Sequence, residues 1–281
     1  MAEEEAKKWT RETSWRQGHL LPADALAHFG LSHVEDAAAT CAVVITHDCD
    51  LANDNLEQEP EVEIVVGRFM AAANGNFTWA KAPRTLHYIA DRSGAPVVVE
   101  LVATAKRRVS KADLANFEPD AAIKLDGKAL AILRNWLGAR YNRAAFPDEF
   151  VRRMGALKAD QKLVKALDKK GELISFVYFD LDGGGIVERP AGDPYQLNVV
   201  LVYTVAKDAD EAGDEADSFA AEVEEALRSR LKGHEDQIVL KSCFAVSEEE
   251  LPVSQARLLT QWRLEHMTLK ADGEQTGAAS L

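Results

Sequence analysis

Short apolar runs rich in β-branched residues recur in the N-terminal part of the chain, and they constrain its fold more than any other feature. Four such runs end in polar or glycine-containing turns: Thr40–Thr46, Glu61–Phe69, Phe77–Ala90 and Pro96–Val109. Apolar runs of this length between turn residues are typical of buried or half-buried strands. Four strands this close together in sequence predict a small antiparallel sheet or barrel.

The pattern then changes to apolar residues at helical spacing. Leu130, Leu133 and Trp136 fall on one face of a helix with about 3.6 residues per turn. Pro147 is expected to begin a new helix, because a proline inside the old one would break it. Together with the strands, this helical extension forms a predicted β-rich domain over 14–160.

Strand-like runs begin again after a lysine-rich amphipathic segment that ends at Gly171. Two strands, one helix and a further strand are expected in that order: Leu173–Leu181, Tyr195–Val205, Ala216–Leu231 and Gln237–Val246. The order β-β-α-β predicts an α+β sandwich in which helices cover one face of a sheet. We therefore expect a second domain over 172–270 and assign the whole chain to the α+β class.

Composition excludes several classes of partner. The net charge of −13 and the pI of about 5.1 argue against a protein that binds duplex nucleic acid, because phosphate contacts dominate that affinity. No apolar stretch approaches the ~20 residues that a membrane-spanning helix needs, and "MAEEEAKKW" lacks the apolar core of a signal peptide. Three cysteines do not indicate a disulfide framework. We expect a cytoplasmic protein with reduced thiols.

The stretch "CAVVITHDCDLANDN" holds the strongest candidate site, because an apolar run ends there in His47, Asp48, Cys49 and Asp50. On a strand, His47 and Cys49 would share one face, and a nearby histidine can activate a thiol as a nucleophile. The flanking aspartates oppose a thiolate, whereas a divalent metal such as zinc accepts His, Cys and Asp ligands together. Alternatively, the aspartates bond turn amides and Cys49 packs as a small apolar residue.

One resemblance bears on this stretch. "VVITHDCDLAN" resembles the "SxDCDI" type of segment in uncharacterised bacterial proteins, which place it after an upstream "QGD" turn. This chain has "RQGH" instead, with His19 where that pattern carries an acid. The resemblance covers Arg16–Asn55 and implies an association with phage-defence or mobile-element loci, but no settled reaction.

A second unusual passage is "RNWLGARYNRAAFPDEF". Arg140 and Arg143 lie three residues apart and would share a face of a helix, with Tyr141 available to stack on a ligand. These residues are candidates for binding an anionic ligand, and the alternative is a solvated arginine face paired with acidic neighbours. If both passages belong to one site, Arg140 and Tyr141 should lie close to the turn formed by residues 47–50.

Two hypotheses of function follow from the candidate site, beside a third in which the protein is a subunit whose C-terminal sheet serves assembly. The first is a cytosolic binding or regulatory component, with a protein partner, that uses the turn at His47–Asp50 to hold a ligand or that partner. The second is a hydrolase-type enzyme in which Cys49 acts as nucleophile or as a ligand of a metal such as zinc, helped by His47 and an aspartate. The sequence contains no complete catalytic signature, which favours the first.

Overall fold

The computed structural model of the chain describes residues 7–139, 146–185, 187–205, 209–256 and 258–263. Helices and strands both contribute, which confirms the α+β class. The described residues form two compact units: 7–73 and 83–138 make up the first, and 74–82 together with the described residues from 139 to 263 the second.

The first unit contains an antiparallel sheet of five strands, one more than the four predicted from the apolar runs. The strands are β1 (Thr40–Val44), β2 (Glu61–Met70), β3 (Thr85–Arg92), β4 (Ala95–Ser110) and β5 (Ile123–Lys124). They lie in the order β1-β2-β4-β3-β5, and every pairing is antiparallel. A β-bulge between Val65 and Gly67 interrupts the long β2–β4 ladder.

The expected strand over Phe77–Ala90 begins later than its apolar pattern suggests. A 3₁₀ turn occupies Thr78–Ala80, and Trp79 has a positive φ of 58°. A left-handed residue cannot continue an extended strand, and Pro83 lacks the N–H that a sheet ladder needs. The pairing with β4 therefore starts at Thr85.

In the described part of the first unit there are four α-helices: α1 (Ala23–His28), α2 (Asp48–Leu51), α3 (Lys111–Leu114) and α4 (Gly127–Ala139). One face of the sheet packs with α1, α2 and α3 around Ala42, Val44 and Ile64. The segment before residue 14, which the predicted domain bounds leave out, contributes to this core. Trp9 is buried there and donates its indole N–H to the carbonyl of Leu51 at 2.9 Å.

The second unit contains a four-stranded sheet with helices against it. Its elements are α5 (Asp148–Ala156), α6 (Ala159–Lys170), β6 (Ile174–Leu181), β7 (Tyr195–Tyr203), α7 (Ala209–Leu231), β8 (Ile238–Ser247), α8 (Val253–Ala256) and β9 (Thr260–Gln261). The strand order is β8-β7-β6-β9, and β7 pairs with β8 in parallel. The parallel pair follows from the helix between the two strands, since a parallel connection needs a long crossover.

Helices α5 and α6 place the boundary between the units earlier than the predicted bounds of 14–160 and 172–270. Phe150, Met154, Leu163 and Leu167 of these helices are fully buried in one core with β6, β7 and α7. The amphipathic pattern identifies each helix as half-buried but does not say against which sheet it packs. The helical extension is therefore divided, with α4 in the first unit and α5 and α6 in the second.

Within the parts of the chain that the structure describes, no helix has both the length and the apolar character needed to cross a membrane.

Candidate functional site

The turn at His47–Asp50 joins the end of β1 to a single helical turn, α2. His47 is the N-cap residue of α2, and its ring Nδ1 accepts a hydrogen bond from the amide of Cys49 at 3.2 Å. The strand ends at Val44, so the condition under which His47 and Cys49 would share a strand face is not met. The polar residues after the apolar run terminate the strand because they cap a helix instead.

Asp48 makes long-range contacts rather than only turning the chain. One carboxylate oxygen accepts a hydrogen bond from the backbone amide of Gln17 at 2.8 Å. The other lies 3.5 Å from the guanidinium of Arg134 on α4, and the two side chains are 39% and 46% exposed. Asp48 therefore ties three segments of the first unit together at a half-exposed position.

Gln17 completes this arrangement from a buried position. Its side-chain amide donates to the carbonyl of Ile45 at 2.8 Å, and its Oε1 accepts from Nε of Arg134 at 2.8 Å. The following Gly18 has a φ of +92°, which favours glycine, and a Cβ at this position would lie 3.0 Å from the side chain of Leu130. The turn around Gln17 thus packs closely against α4, one helical turn before Arg134. We call Gln17, Asp48 and Arg134 the base of the site.

His19 follows this turn, at the position where the resembling segment carries an acid. Its Nδ1 accepts a hydrogen bond from the amide of Arg16 at 3.1 Å, so the neutral ring carries its proton on Nε2. Burial lowers the pKa of His19, as does the charge of Arg16, while Asp48 opposes them. This residue is suited to donate a hydrogen bond as a neutral imidazole and does not replace a carboxylate.

Lys111 supports the turn from beneath. Its side chain is fully buried and donates to the backbone carbonyls of Asp50 at 2.6 Å and Asn53 at 2.9 Å. The carboxylate of Glu59 lies 3.7 Å from the same nitrogen. Burial lowers the pKa of Lys111, and the carboxylates of Glu59, Asp50 and Asp54 oppose that shift. A buried cation that holds two carbonyls fixes the backbone of the turn.

The side chains of the turn that remain accessible are His47, Cys49 and Asp50. Cys49 is the exposed cysteine, whereas Cys41 and Cys243 are buried, and burial raises the pKa of each of those two thiols to about 12. The interpretation of Cys49 as a packed apolar residue is therefore wrong. An exposed thiol can react or contact a partner.

Among the described residues, the hydrogen bonds of the turn do not orient a base towards the thiol of Cys49. A nucleophilic thiol needs a neighbouring group placed to accept its proton, and Nδ1 of His47 is engaged by the amide of Cys49 instead. No group of three or more His, Cys, Asp or Glu side chains that could hold a metal occurs among the described residues. The arrangement is that of an exposed surface on a fixed base.

Arg140, Tyr141 and Arg143 lie outside the residues that the structure describes. Their expected closeness to the turn remains a prediction. The arginine that does reach the turn is Arg134, one of the three that the same passage contributes.

Sequence reasoning missed Gln17 and Lys111. Gln17 lies in the "RQGH" turn that belongs to the resemblance, so the resemblance carried a signal for it. Lys111 lies in "KADLANFEP" and has no local signal, because its partners are 58 and 61 residues away in the sequence.

No model of a known protein family matches the chain, and neither does a curated protein or a solved structure.

Proposed function

We propose that the protein is a cytosolic binding or regulatory component that holds a protein partner through the exposed turn at His47–Asp50. One observation carries this proposal: the turn is exposed but stands on a fixed base. Asp48 bonds Gln17 and Arg134, and Lys111 holds the carbonyl of Asp50. Surface side chains on a rigid base lose little entropy when they bind, which is the advantage of preorganisation.

The negative charge around the turn indicates which kind of partner surface would bind there. Asp50, Asp54 and Glu57 are exposed within eleven residues of His47, and Lys111 beneath them is buried. A partner surface with lysine or arginine side chains complements this charge and associates faster for that reason. The resemblance of "VVITHDCDLAN" to segments of bacterial proteins supports a role in a phage-defence or mobile-element system.

A hydrolase that uses Cys49 is the second candidate, and the exposure of this thiol favours it. The orientation of His47 opposes it, because its Nδ1 accepts the amide of Cys49 and not the thiol proton. A metal bound through Cys49 would need further ligands, and the described residues do not supply a group of three. We therefore rank binding above catalysis.

Photo-crosslinking from Cys49 tests the binding proposal. Benzophenone-maleimide on the native protein modifies Cys49 in preference to the two buried cysteines, and the labelled protein is irradiated in a lysate of the source cells. The matched control is Cys49→Ser combined with Ser218→Cys, which moves the label to an exposed position on the acidic helix α7. We expect a crosslinked product from position 49 only.

Charge variants make this test specific. Asp50→Asn should reduce the yield of the product at low salt, whereas Asp217→Asn, an exposed acid on α7, should not. Equal products from positions 49 and 218, or a yield that neither salt nor Asp50→Asn changes, would contradict a partner held by the turn. Hydrolysis of p-nitrophenyl acetate that Cys49→Ser abolishes would favour the enzyme instead.

A further inference from the structure

The guanidinium of Arg134 on α4 is held along one edge. Its Nε donates to Oε1 of Gln17 at 2.8 Å, and its Nη2 lies 3.5 Å from the carboxylate of Asp48. A guanidinium has five N–H groups, and no acceptor among the described residues bonds Nη1. The side chain is 46% exposed, although Gln17, which orients it, is buried. Arg134 therefore keeps a second edge, Nη1 and Nη2, available to a ligand in a fixed orientation.

Arg16, in the turn that precedes Gln17, is held through its Nη1 atom instead. This atom donates to the backbone carbonyls of Thr13 and Trp15, at 2.5 and 2.7 Å. The two bonds use both N–H groups of Nη1, and no acceptor among the described residues bonds Nε or Nη2. The side chain is exposed. Its free edge, Nε and Nη2, is one that binds two oxygens of a carboxylate or phosphate in parallel.

His19 adds a neutral donor close to these groups. Its Nδ1 accepts a hydrogen bond from the amide of Arg16 at 3.1 Å, which leaves Nε2 to carry the proton of the neutral ring. The charges of Arg16 and Asp48 both act on the pKa of His19, the first lowering and the second raising it. Asp48 in turn contacts Arg134. His19 therefore lies near both arginines of this arrangement.

The fixed charge of the arrangement is positive. The guanidinium groups of Arg16 and Arg134 and the carboxylate of Asp48 sum to one positive charge. Both oxygens of Asp48 are engaged, one by the amide of Gln17 at 2.8 Å and the other by Arg134. An anion would gain charge-assisted hydrogen bonds from the free edges, which are among the stronger hydrogen bonds in proteins. A cation would meet two guanidinium groups.

We propose that Arg16, His19 and Arg134 form a site for one oxyanion, the phosphate group of a small molecule. A phosphate carries its oxygens around one centre, so it can accept from two guanidinium edges and an imidazole N–H together. Arginine suits such contacts because its donors form a planar, rigid fork. The site lies beside the turn at His47–Asp50 and takes a ligand of its own, which goes beyond the protein partner proposed for that turn.

Titration of the full chain with sodium phosphate, followed by ¹H–¹⁵N NMR spectra, tests this site without any partner. Sodium phosphate replaces sodium chloride at constant ionic strength, and we expect saturable shifts of the amides of Arg16, Gln17 and His19. AMP is titrated in the same way. Tighter binding of AMP would identify an organic phosphate ester as the ligand, and equal or weaker binding would identify the free anion. If neither probe saturates at these amides, the proposal is overturned.

Variants assign the binding to the two free edges. Arg16→Gln should weaken phosphate binding about tenfold to a hundredfold, because hydrogen bonds from a charged donor are lost. Arg11→Gln, at an exposed arginine earlier in the same segment, is the matched control and should leave the affinity unchanged. Arg134→Lys keeps the charge beside Asp48 but has no second edge, so it should weaken binding as well.

Two results would contradict this assignment. One is an equal affinity of Arg16→Gln and Arg11→Gln for phosphate, and the other is an unchanged affinity of Arg134→Lys. Should Arg16→Gln not fold, the comparison of Arg134→Lys with Arg11→Gln decides alone.

Discussion

Replacing Arg153 by methionine should destabilise the second unit far more than the same change at its neighbour Arg152. The side chain of Arg153 on α5 is 1% exposed. Its Nε donates to the carboxylate of Glu149 at 2.8 Å. The remaining four N–H groups bond four backbone carbonyls, those of Asp193, Gln237, Arg189 and Pro190, at 2.8–3.2 Å. All five donors of the guanidinium are therefore used.

The magnitude follows from what methionine leaves behind. Methionine is apolar and fills part of the volume, but the carbonyls of Asp193 and Arg189 lose the donor that Arg153 supplies. The other acceptors keep a donor, since backbone amides bond the carbonyls of Gln237 and Pro190 and Arg152 bonds Glu149. A buried acceptor without a partner costs about 1–3 kcal/mol, so we expect Arg153→Met to lower the free energy of unfolding by about 2–6 kcal/mol.

Arg152 is the matched control, because it bonds the same carboxylate. Both of its contacts go to Glu149, at 2.6 Å each, and its side chain is 66% exposed. Exposed ion pairs contribute little to stability, so Arg152→Met should leave the unfolding midpoint almost unchanged. Arg153→Lys should fall between the two, since an ammonium keeps the charge but offers three donors where the guanidinium offers five.

Urea denaturation followed by circular dichroism measures these differences. The midpoint should fall for Arg153→Met while the slope with denaturant stays constant, which shows that stability and not compactness has changed. Equal shifts for the two arginine variants would refute the reasoning, because the buried carbonyl contacts would then contribute nothing beyond the shared ion pair. A neutral Arg153→Met would refute it as well.

Two further predictions concern thiols and glycines. A chromogenic disulfide reagent should count one reactive thiol in the native protein and three after denaturation. The reason is that Cys49 is exposed, whereas Cys41 and Cys243 are buried and the pKa of each is raised to about 12. Three fast-reacting thiols in the native protein would contradict the burial of Cys41 and Cys243. Gly75→Ala should destabilise by about 1–3 kcal/mol, as overpacking does, since its Cβ would lie 2.8 Å from a backbone oxygen. Gly155→Ala on α5, where an added Cβ has no atom within 4 Å, should instead stabilise the protein by about 0.5–1 kcal/mol in thermal unfolding. A loss of stability in this variant would show that the helix does not tolerate a methyl group there.

The elements of the fold were predictable where a local pattern carries them. The β-branched runs near Val43, Val65 and Val99 form paired strands. A strand of this kind can be recognised from its own sequence, because its apolar residues follow one another or alternate over a short run. The helix between β7 and β8 was expected from its spacing, and it explains their parallel pairing.

The division between units and the base of the site could not be predicted in the same way. Phe150 and Leu163 mark buried helix faces, yet the sequence does not say which sheet covers them. The contact from Gln17 to Asp48 spans 31 residues, and that from Gln17 to Arg134 spans 117. Contacts at such separations leave no periodic signal in one sequence.

The two aspartates of the "DCD" segment have different tasks, which the sequence alone does not distinguish. The side chain of Asp48 is bound by Gln17 and Arg134, so it holds the turn in place. Asp50 contributes its backbone carbonyl to Lys111, and its side chain remains exposed. Cys49 lies between them with its amide bonded to His47 and its thiol outward. A catalytic thiol would need its neighbours to turn towards the sulfur. Here the polar contacts of those neighbours run to the backbone and to the base, and the side chains left exposed form an acidic surface, which supports the proposed binding role.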